Sequence, residues 1–237
     1  MSGLQISGVT ADRAGIVVVR DVDLEVRPQE ITVLLGANGA GKTTLLEALS
    51  GLIPHRSGSI VLDGTDIGRL SRLDRARRGL VHVEQGRAVF QGLTVRENLR
   101  AVSRSDDVLE DALALFPELE PRVDVAARSL SGGEQQMLAI ARALACRPTL
   151  LMIDEMSLGL APVIVHRLLE AIKRIADERG IGILLVEQFA ALALGIGHRA
   201  YVLARGEVAH SGPCRTFLDH PELLQSTYLS AGADAAR

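Results

Sequence analysis

Aromatic side chains are scarce in this 237-residue chain: they make up 3 per cent of it, and tryptophan is absent. With 47 per cent hydrophobic residues a sizeable core is still within reach, but it must be built from aliphatic side chains. Cysteine occurs only twice, at Cys146 and Cys214, which excludes a disulfide framework and fits a reduced compartment. Neither sign of charge dominates. Lys and Arg number 26 against 29 Asp and Glu, a formal net charge of -3, which argues against a dedicated nucleic-acid binder. No basic stretch followed by an apolar run opens the sequence, so no secretory signal is expected. No apolar run approaches the roughly 18 residues that a membrane span needs. The six histidines, His82, His166 and His198 among them, show no metal-ligand spacing. These absences point to a soluble or peripheral protein that reaches any membrane through a partner.

What is present is an alternation of short apolar runs and helical patterns. Leu4 and Ile6, then Val22, Leu24 and Val26, alternate with polar residues as half-buried antiparallel strands do. Ile31–Leu35, Leu80–Val83, Leu150–Ile153, Ile183–Val186 and Tyr201–Leu203 read as further strands, and Ser57–Gly64 as a short one between turn signals. Helical periodicity takes over from about residue 86 to 145, with Val108, Leu109, Ala112, Leu113 and Phe116 marking one face. Ser131 and Glu134 have the spacing of a capping box, and Pro162–Arg179 is a helix closed by Gly180. Buried strands alternating with helices predict an α/β fold, a mostly parallel sheet covered on both faces. The expected layout is one domain, its core formed by about 1–85 and 146–237 and a helical subdomain by about 86–145. Arg72, Arg75, Arg77 and Arg78 read as a solvated helix face, or alternatively as a contact for a membrane partner or anionic lipid.

Three stretches carry chemistry. Gly36-Ala-Asn38-Gly39-Ala40-Gly41-Lys42-Thr43 fits G-x-x-x-x-G-K-[ST] between a strand and a helix. Backbone N–H groups and the helix dipole there suit phosphate; Lys42 would reach the β and γ phosphates and Thr43 would ligate Mg²⁺. Leu150–Ile153 delivers two carboxylates, Asp154 for the metal and Glu155 to polarise an attacking water as the catalytic base. Leu130-Ser131-Gly132-Gly133-Glu134-Gln135-Gln136 opens a helix whose N–H groups could hold phosphate again.

With the first of these upstream of Ser131–Gly133 and the second just downstream, the sequence resembles ABC-type ATPase domains over essentially its whole length. The resemblance implies a P-loop NTPase fold with an antiparallel β-subdomain and a helical subdomain bearing the signature, and ATP with Mg²⁺ as ligands. It implies a head-to-tail dimer with ATP between Gly36–Thr44 of one subunit and Ser131, Gly132 and Gly133 of the other. It places Gln85 at the Mg²⁺ ion and the attacking water, and Gln188 beside the γ-phosphate, where many relatives have histidine. Arg13 stands where an aromatic usually stacks on adenine, and a guanidinium can lie flat on the base. Met156 and Ala161 replace a frequent proline and aspartate. Gly86-Arg87-x-Val89-Phe90, Leu93-Thr94-Val95-x-Glu97-Asn98-Leu99, Ser157–Pro162, Val186–Gln188 and Thr227–Ser230 resemble ATPases of branched-chain amino-acid importers; urea and amide importers carry similar ones. The partners so implied are permease subunits at the cytoplasmic face of the membrane, a second ATPase of the same or different sequence and, indirectly, a solute-binding protein. The alternative is an ABC-type ATPase acting on DNA or ribosomes, against which stand the single compact domain and the missing basic excess. A P-loop kinase of small metabolites does not account for Ser131–Gly133.

Overall fold

The computed structural model describes residues 3–224, apart from Arg87 and Asp106; Arg87 and the Thr227–Ser230 stretch thus lie outside the described residues. The chain opens with β1 (Leu4–Arg13) and β2 (Ile16–Val26), an antiparallel pair. Alternation puts Leu4, Ile6, Val22, Leu24 and Val26 inside and Gln5, Ser7, Asp21 and Asp23 outside. Next come β3 (Ile31–Leu35), α1 (Lys42–Ser50), β4 (His55–Leu62) and β5 (Thr65–Asp66). The strand expected to run to Gly64 stops at Leu62 because Asp63 and Gly64, φ 48° and 76°, form a two-residue hairpin turn into β5. After α2 (Arg72–Arg77) and β6 (Leu80–Val83) follow α3 (Val95–Arg100), α4 (Asp107–Leu115) and, past two 3₁₀ turns, α5 (Gly132–Ala145). The last third holds β7 (Leu150–Asp154), α6 (Pro162–Arg179), β8 (Gly182–Val186), α7 (Ala190–Ile196), β9 (Arg199–Ala204), β10 (Glu207–Pro213) and α8 (Cys214–Asp219). On α4 the buried face is Val108, Ala112, Leu115 and then Phe116, whereas Leu109 and Leu113 are only partly covered. The helix stops at Leu115, and Phe116 leads into the 3₁₀ turn that Pro117 begins.

Two sheets result. One is antiparallel, in the order β2-β1-β4-β5; the other runs β10-β9-β3-β8-β7-β6, parallel except for β10 at its edge. The parallel strands are apolar on both faces because both are covered. Val33, Leu151, Ile153, Ile183 and Leu185 face a core shared with α3 to α7, while Leu34, Leu150, Met152, Leu184 and Val186 face a second core shared with β1, β2 and α1. Helix α1 therefore lies between the sheets, touching β1 and β2 on one side and β6 and β7 on the other.

One expectation fails in part. Arg75 does not belong to a solvated face: it is 2 per cent exposed and wraps the end of α1. Its guanidinium donates to the carbonyls of Ala48 (2.7 Å), Leu49 (2.6 Å), Gly68 (2.7 Å) and Leu70 (3.1 Å). The last carbonyls of a helix have no intrahelical donor, and a buried guanidinium with all three nitrogens donating meets that need.

Candidate functional site

The site is assembled on neighbouring strand ends. β3, β8 and β7 are adjacent, and their C-terminal ends lead into Gly36, Glu187 and Glu155. At Gly36, φ 156°, a Cβ would stand 2.5 Å from the Leu203 carbonyl oxygen, so only glycine lets the chain leave β3 here. Gly41, φ 103°, then turns the chain into α1, whose first residue is Lys42. No side chain caps α1 and its first turn holds no acidic residue, which leaves its free N–H groups for an anion. Lys42 is 4 per cent exposed and its Nζ donates to the carbonyls of Gly36 (2.9 Å) and Ala37 (3.2 Å), folding the loop around the ammonium. Burial lowers its pKa, and the charges of Glu155 and Asp154 pull it back up.

Asp154 ends β7 under the cleft floor, 1 per cent exposed, and neither carboxylate oxygen has a hydrogen-bond partner. Desolvation raises its pKa to about 6; the charge of Glu155 adds to the rise, and the Thr43 hydroxyl and Lys42 oppose it. Such a group asks for a cation. Magnesium keeps several waters and phosphate oxygens, so one carboxylate with one hydroxyl is an adequate protein share. In the metal-free chain, the raised pKa means that ionisation opposes folding. The penalty is absent below the unfolded value of 3.8, grows as pH rises, and is complete above about 6. Asp154→Asn should therefore raise the metal-free melting temperature at pH 7.5 by roughly 4–12 °C, for a cost of about 2–3 kcal/mol removed. The gain should shrink towards pH 5. Equal melting curves for both proteins at pH 7.5 would show that Asp154 is solvated.

Glu155 follows with φ 45°, a left-handed backbone that costs a non-glycine residue about 1 kcal/mol or more. Its Oε2 accepts from Gln85 Nε2 (2.9 Å) and its Oε1 lies 3.8 Å from Lys42 Nζ. Gln188, two residues beyond β8, faces the same cleft, together with Asn38, Gly39, Gly41, Thr43 and Thr44. Gly36 and Ala40 are buried behind the loop. Arg13 lies at the cleft's far end beside Val18, but its guanidinium is paired with Glu47 on α1 rather than free.

Ser131, Gly132 and Gly133 do not line this cleft. Ser131 caps α5 in a complete capping box, its backbone N–H donating to Glu134 (2.7 Å) and its hydroxyl accepting from the Glu134 N–H (3.3 Å). A Cβ on Gly133 would stand 2.7 Å from Ile164, so glycine there also sets how closely α5 approaches α6. Sequence reasoning gave Glu187 and Ser157 no role. Glu187 is 2 per cent exposed, its carboxylate accepting from the Ser157 backbone N–H (3.2 Å) and hydroxyl. A signal existed: Ile183–Val186 ends in an acid just as Leu150–Ile153 does.

Comparison with known proteins fits this geometry. Residues 19–157 match the ABC transporter family. Of curated proteins, the high-affinity branched-chain amino acid transport ATP-binding protein BraG of Pseudomonas aeruginosa is 42% identical, over 89% of this chain and 92% of its own. The probable branched-chain amino acid transport ATP-binding protein LivF of Archaeoglobus fulgidus is 38% identical, over 84% and 87%. The lipopolysaccharide export system ATP-binding protein LptB of Escherichia coli K12 is also 38% identical, over 90% of each chain. Among solved structures, an ATP-binding subunit of an ABC transporter superposes with a TM-score of 0.81 at 27% identity, covering 97% of this chain and 99% of that one. A dimeric bacterial ABC transporter cassette superposes with a TM-score of 0.79 at 25% identity, covering 90% and 99%. Kinship along nearly the whole chain thus joins a phosphate loop that faces paired carboxylates: the protein belongs to the ABC transporter family, as one of its ATP-binding and ATP-hydrolysing subunits.

Proposed function

We propose that this subunit energises an importer of branched-chain amino acids or of similar small polar solutes, docked on permease subunits at the cytoplasmic face of the membrane. The observation that carries the reading is the 42% identity to BraG over most of both chains. The 38% identity to LptB favours a second reading, the ATPase of an exporter. Purification with the membrane proteins it binds separates them. A polytopic permease and a solute-binding protein that takes up leucine, isoleucine or valine support the first; a lipid-exporting permease supports the second. Copurified nucleic acid or ribosomes would overturn both.

In this reading Lys42 and the N–H groups of Gly36, Asn38, Gly39, Ala40, Gly41, Thr43 and Thr44 hold the phosphates of ATP. Thr43, Asp154 and Gln85 hold Mg²⁺, which when bound neutralises charge on those phosphates; support comes from the two unpartnered oxygens of Asp154. Glu155 takes the proton of the attacking water, oriented by Gln85, while Gln188 donates a hydrogen bond where charge develops. Ser131, Gly132 and Gly133 of a second ATPase subunit close the cleft from outside, and the exposed Ser131 at the N-terminus of α5 suits that task. The helical segment 86–145 acts as a subdomain of the single domain, between the cleft and the permease.

Arg13 supplies a stacking surface for adenine once its pairing with Glu47 is shared or released. The Arg13→Ala chain is expected to bind ATP about two- to tenfold more weakly, the loss of roughly 0.5–1.4 kcal/mol of stacking. Its affinity for tripolyphosphate, which lacks a base, should not change, and Arg13→Tyr should restore ATP binding. Equal losses for both ligands would make Arg13 a phosphate contact.

A further inference from the structure

We propose that Glu187 is a positioning residue for hydrolysis: its buried carboxylate, held by Ser157, fixes the loop that carries Glu155 to the end of β8. The proposal rests on Glu155 being the general base.

Burial opposes a charge at position 187 and raises its pKa, whereas the Ser157 hydroxyl, the Ser157 N–H and the Gln188 backbone N–H favour the ionised form. A valine or leucine continuing β8 would fill the same place without that desolvation cost. The acid is therefore retained for what it grips, and both of its side-chain hydrogen bonds go to one residue of the neighbouring loop. Ser157 is itself 3 per cent exposed, so water does not compete for the contact.

The same loop also buries the Met156 side chain in the core, 2 per cent exposed. Glu155 donates its backbone N–H to Val186 (2.9 Å), and Leu158 closes a loose turn back onto the Glu155 carbonyl (3.4 Å). Between those points Glu155 keeps its left-handed backbone, φ 45°, a conformation that persists only where the surroundings impose it. Val186 holds the N–H of the bend residue itself, and Glu187 holds Ser157 two residues beyond it. With both anchors the Glu155 carboxylate meets Gln85 and Lys42 across the cleft. With only the first, the bend is free to relax towards an ordinary backbone and carry the carboxylate away. Glu187 also precedes Gln188 directly, so one anchor sets the loop and the glutamine together. The phosphate loop hangs from β3 and the side-chain hydrogen bonds of Glu187 go to Ser157 instead, so ATP binding should be insensitive to it.

The test uses the full chain, with kcat for hydrolysis, equilibrium affinity for ATP and melting temperature measured for each variant. Glu187→Met keeps the volume and removes the acceptors; kcat should fall about tenfold or more while ATP affinity stays within about threefold and the melting temperature holds or rises. Glu187→Gln, which keeps one carbonyl oxygen for Ser157, should recover much of the rate. Ser157→Ala should lower kcat about threefold, and Ser157→Ala with Glu187→Met should be no slower than Glu187→Met alone. A Glu187→Met chain with kcat within twofold of wild type overturns the proposal, as do losses that multiply in the double variant. Should Glu187→Met not fold, an unchanged kcat in Ser157→Ala overturns it equally. In a Glu155→Gln background, Glu187→Met should cost nothing further. If Glu155→Gln alone keeps full activity, the functional reading of Glu155 fails, and the coupling of Ser157 to Glu187 is then judged from the double variant by itself.

Discussion

Replacing Glu155 by glutamine should leave a chain that binds ATP nearly as well as wild type and hydrolyses it roughly 10²–10⁴-fold more slowly, the usual worth of a general base. The amide keeps the shape and an oxygen to accept the Gln85 hydrogen bond, 2.9 Å in the native chain, so the cleft should not collapse. What disappears is the capacity to take a proton, and with it the charge 3.8 Å from Lys42. Because the groups proposed to bind phosphate belong to the loop between β3 and α1, equilibrium affinity and turnover should separate cleanly. Single-turnover phosphate release and ATP titration on the same preparation measure the two. The stalled chain should also dimerise in the presence of ATP, which size-exclusion chromatography detects. Hydrolysis at the wild-type rate would place the base elsewhere.

Lys42→Ala is expected to do the opposite and damage both quantities. A charge-assisted hydrogen bond is worth about 1.5–3 kcal/mol, so losing the ammonium should weaken ATP binding roughly 10- to 150-fold. Turnover should fall below about one per cent, since the same charge also steadies the phosphate that is leaving. The apo protein changes too. Lys42 donates to the carbonyls of Gly36 and Ala37, and its charge opposes the rise in the pKa of Asp154. Without it the phosphate loop loses its internal strap and Asp154 is pushed further towards its neutral form. Calorimetric titration with ATP and a phosphate-release assay, with a melting curve to show that the variant is folded, check the prediction. Near-normal affinity and turnover would remove Lys42 from the site.

The parts that were legible in the sequence are those whose signal is local. Glycines at 36 and 41 mark a backbone that only they can adopt, an apolar run marks β3 and β7, and Ser131 with Glu134 marks the start of α5. The parts that were not legible are contacts between distant residues. Gln85 meets Glu155 across 70 positions and Glu187 meets Ser157 across 30, and neither spacing carries a pattern. Arg75 reads as one of four arginines on a polar helix, yet the open carbonyls at the end of α1 draw it inside. His82 shows no metal-ligand spacing in the sequence, and nothing more. It lies in β6 between Val81 and Val83 with both ring nitrogens unpartnered, and desolvation lowers its pKa to about 4. Burial of that kind depends on which strand lies alongside, which a single segment of sequence does not encode.

The position of β3 bears on how the protein is made. This buried strand, apolar except for Thr32, pairs with β8 on one side and β9 on the other, so it acquires its first neighbour in the sheet only when Gly182 and the residues after it have emerged. At about 5–20 residues per second the nascent chain carries an unpaired hydrophobic ribbon for roughly 8–30 s. During that interval its open edges can be taken by another nascent chain as readily as by their native partners, and a product cut short before β8 would never close them.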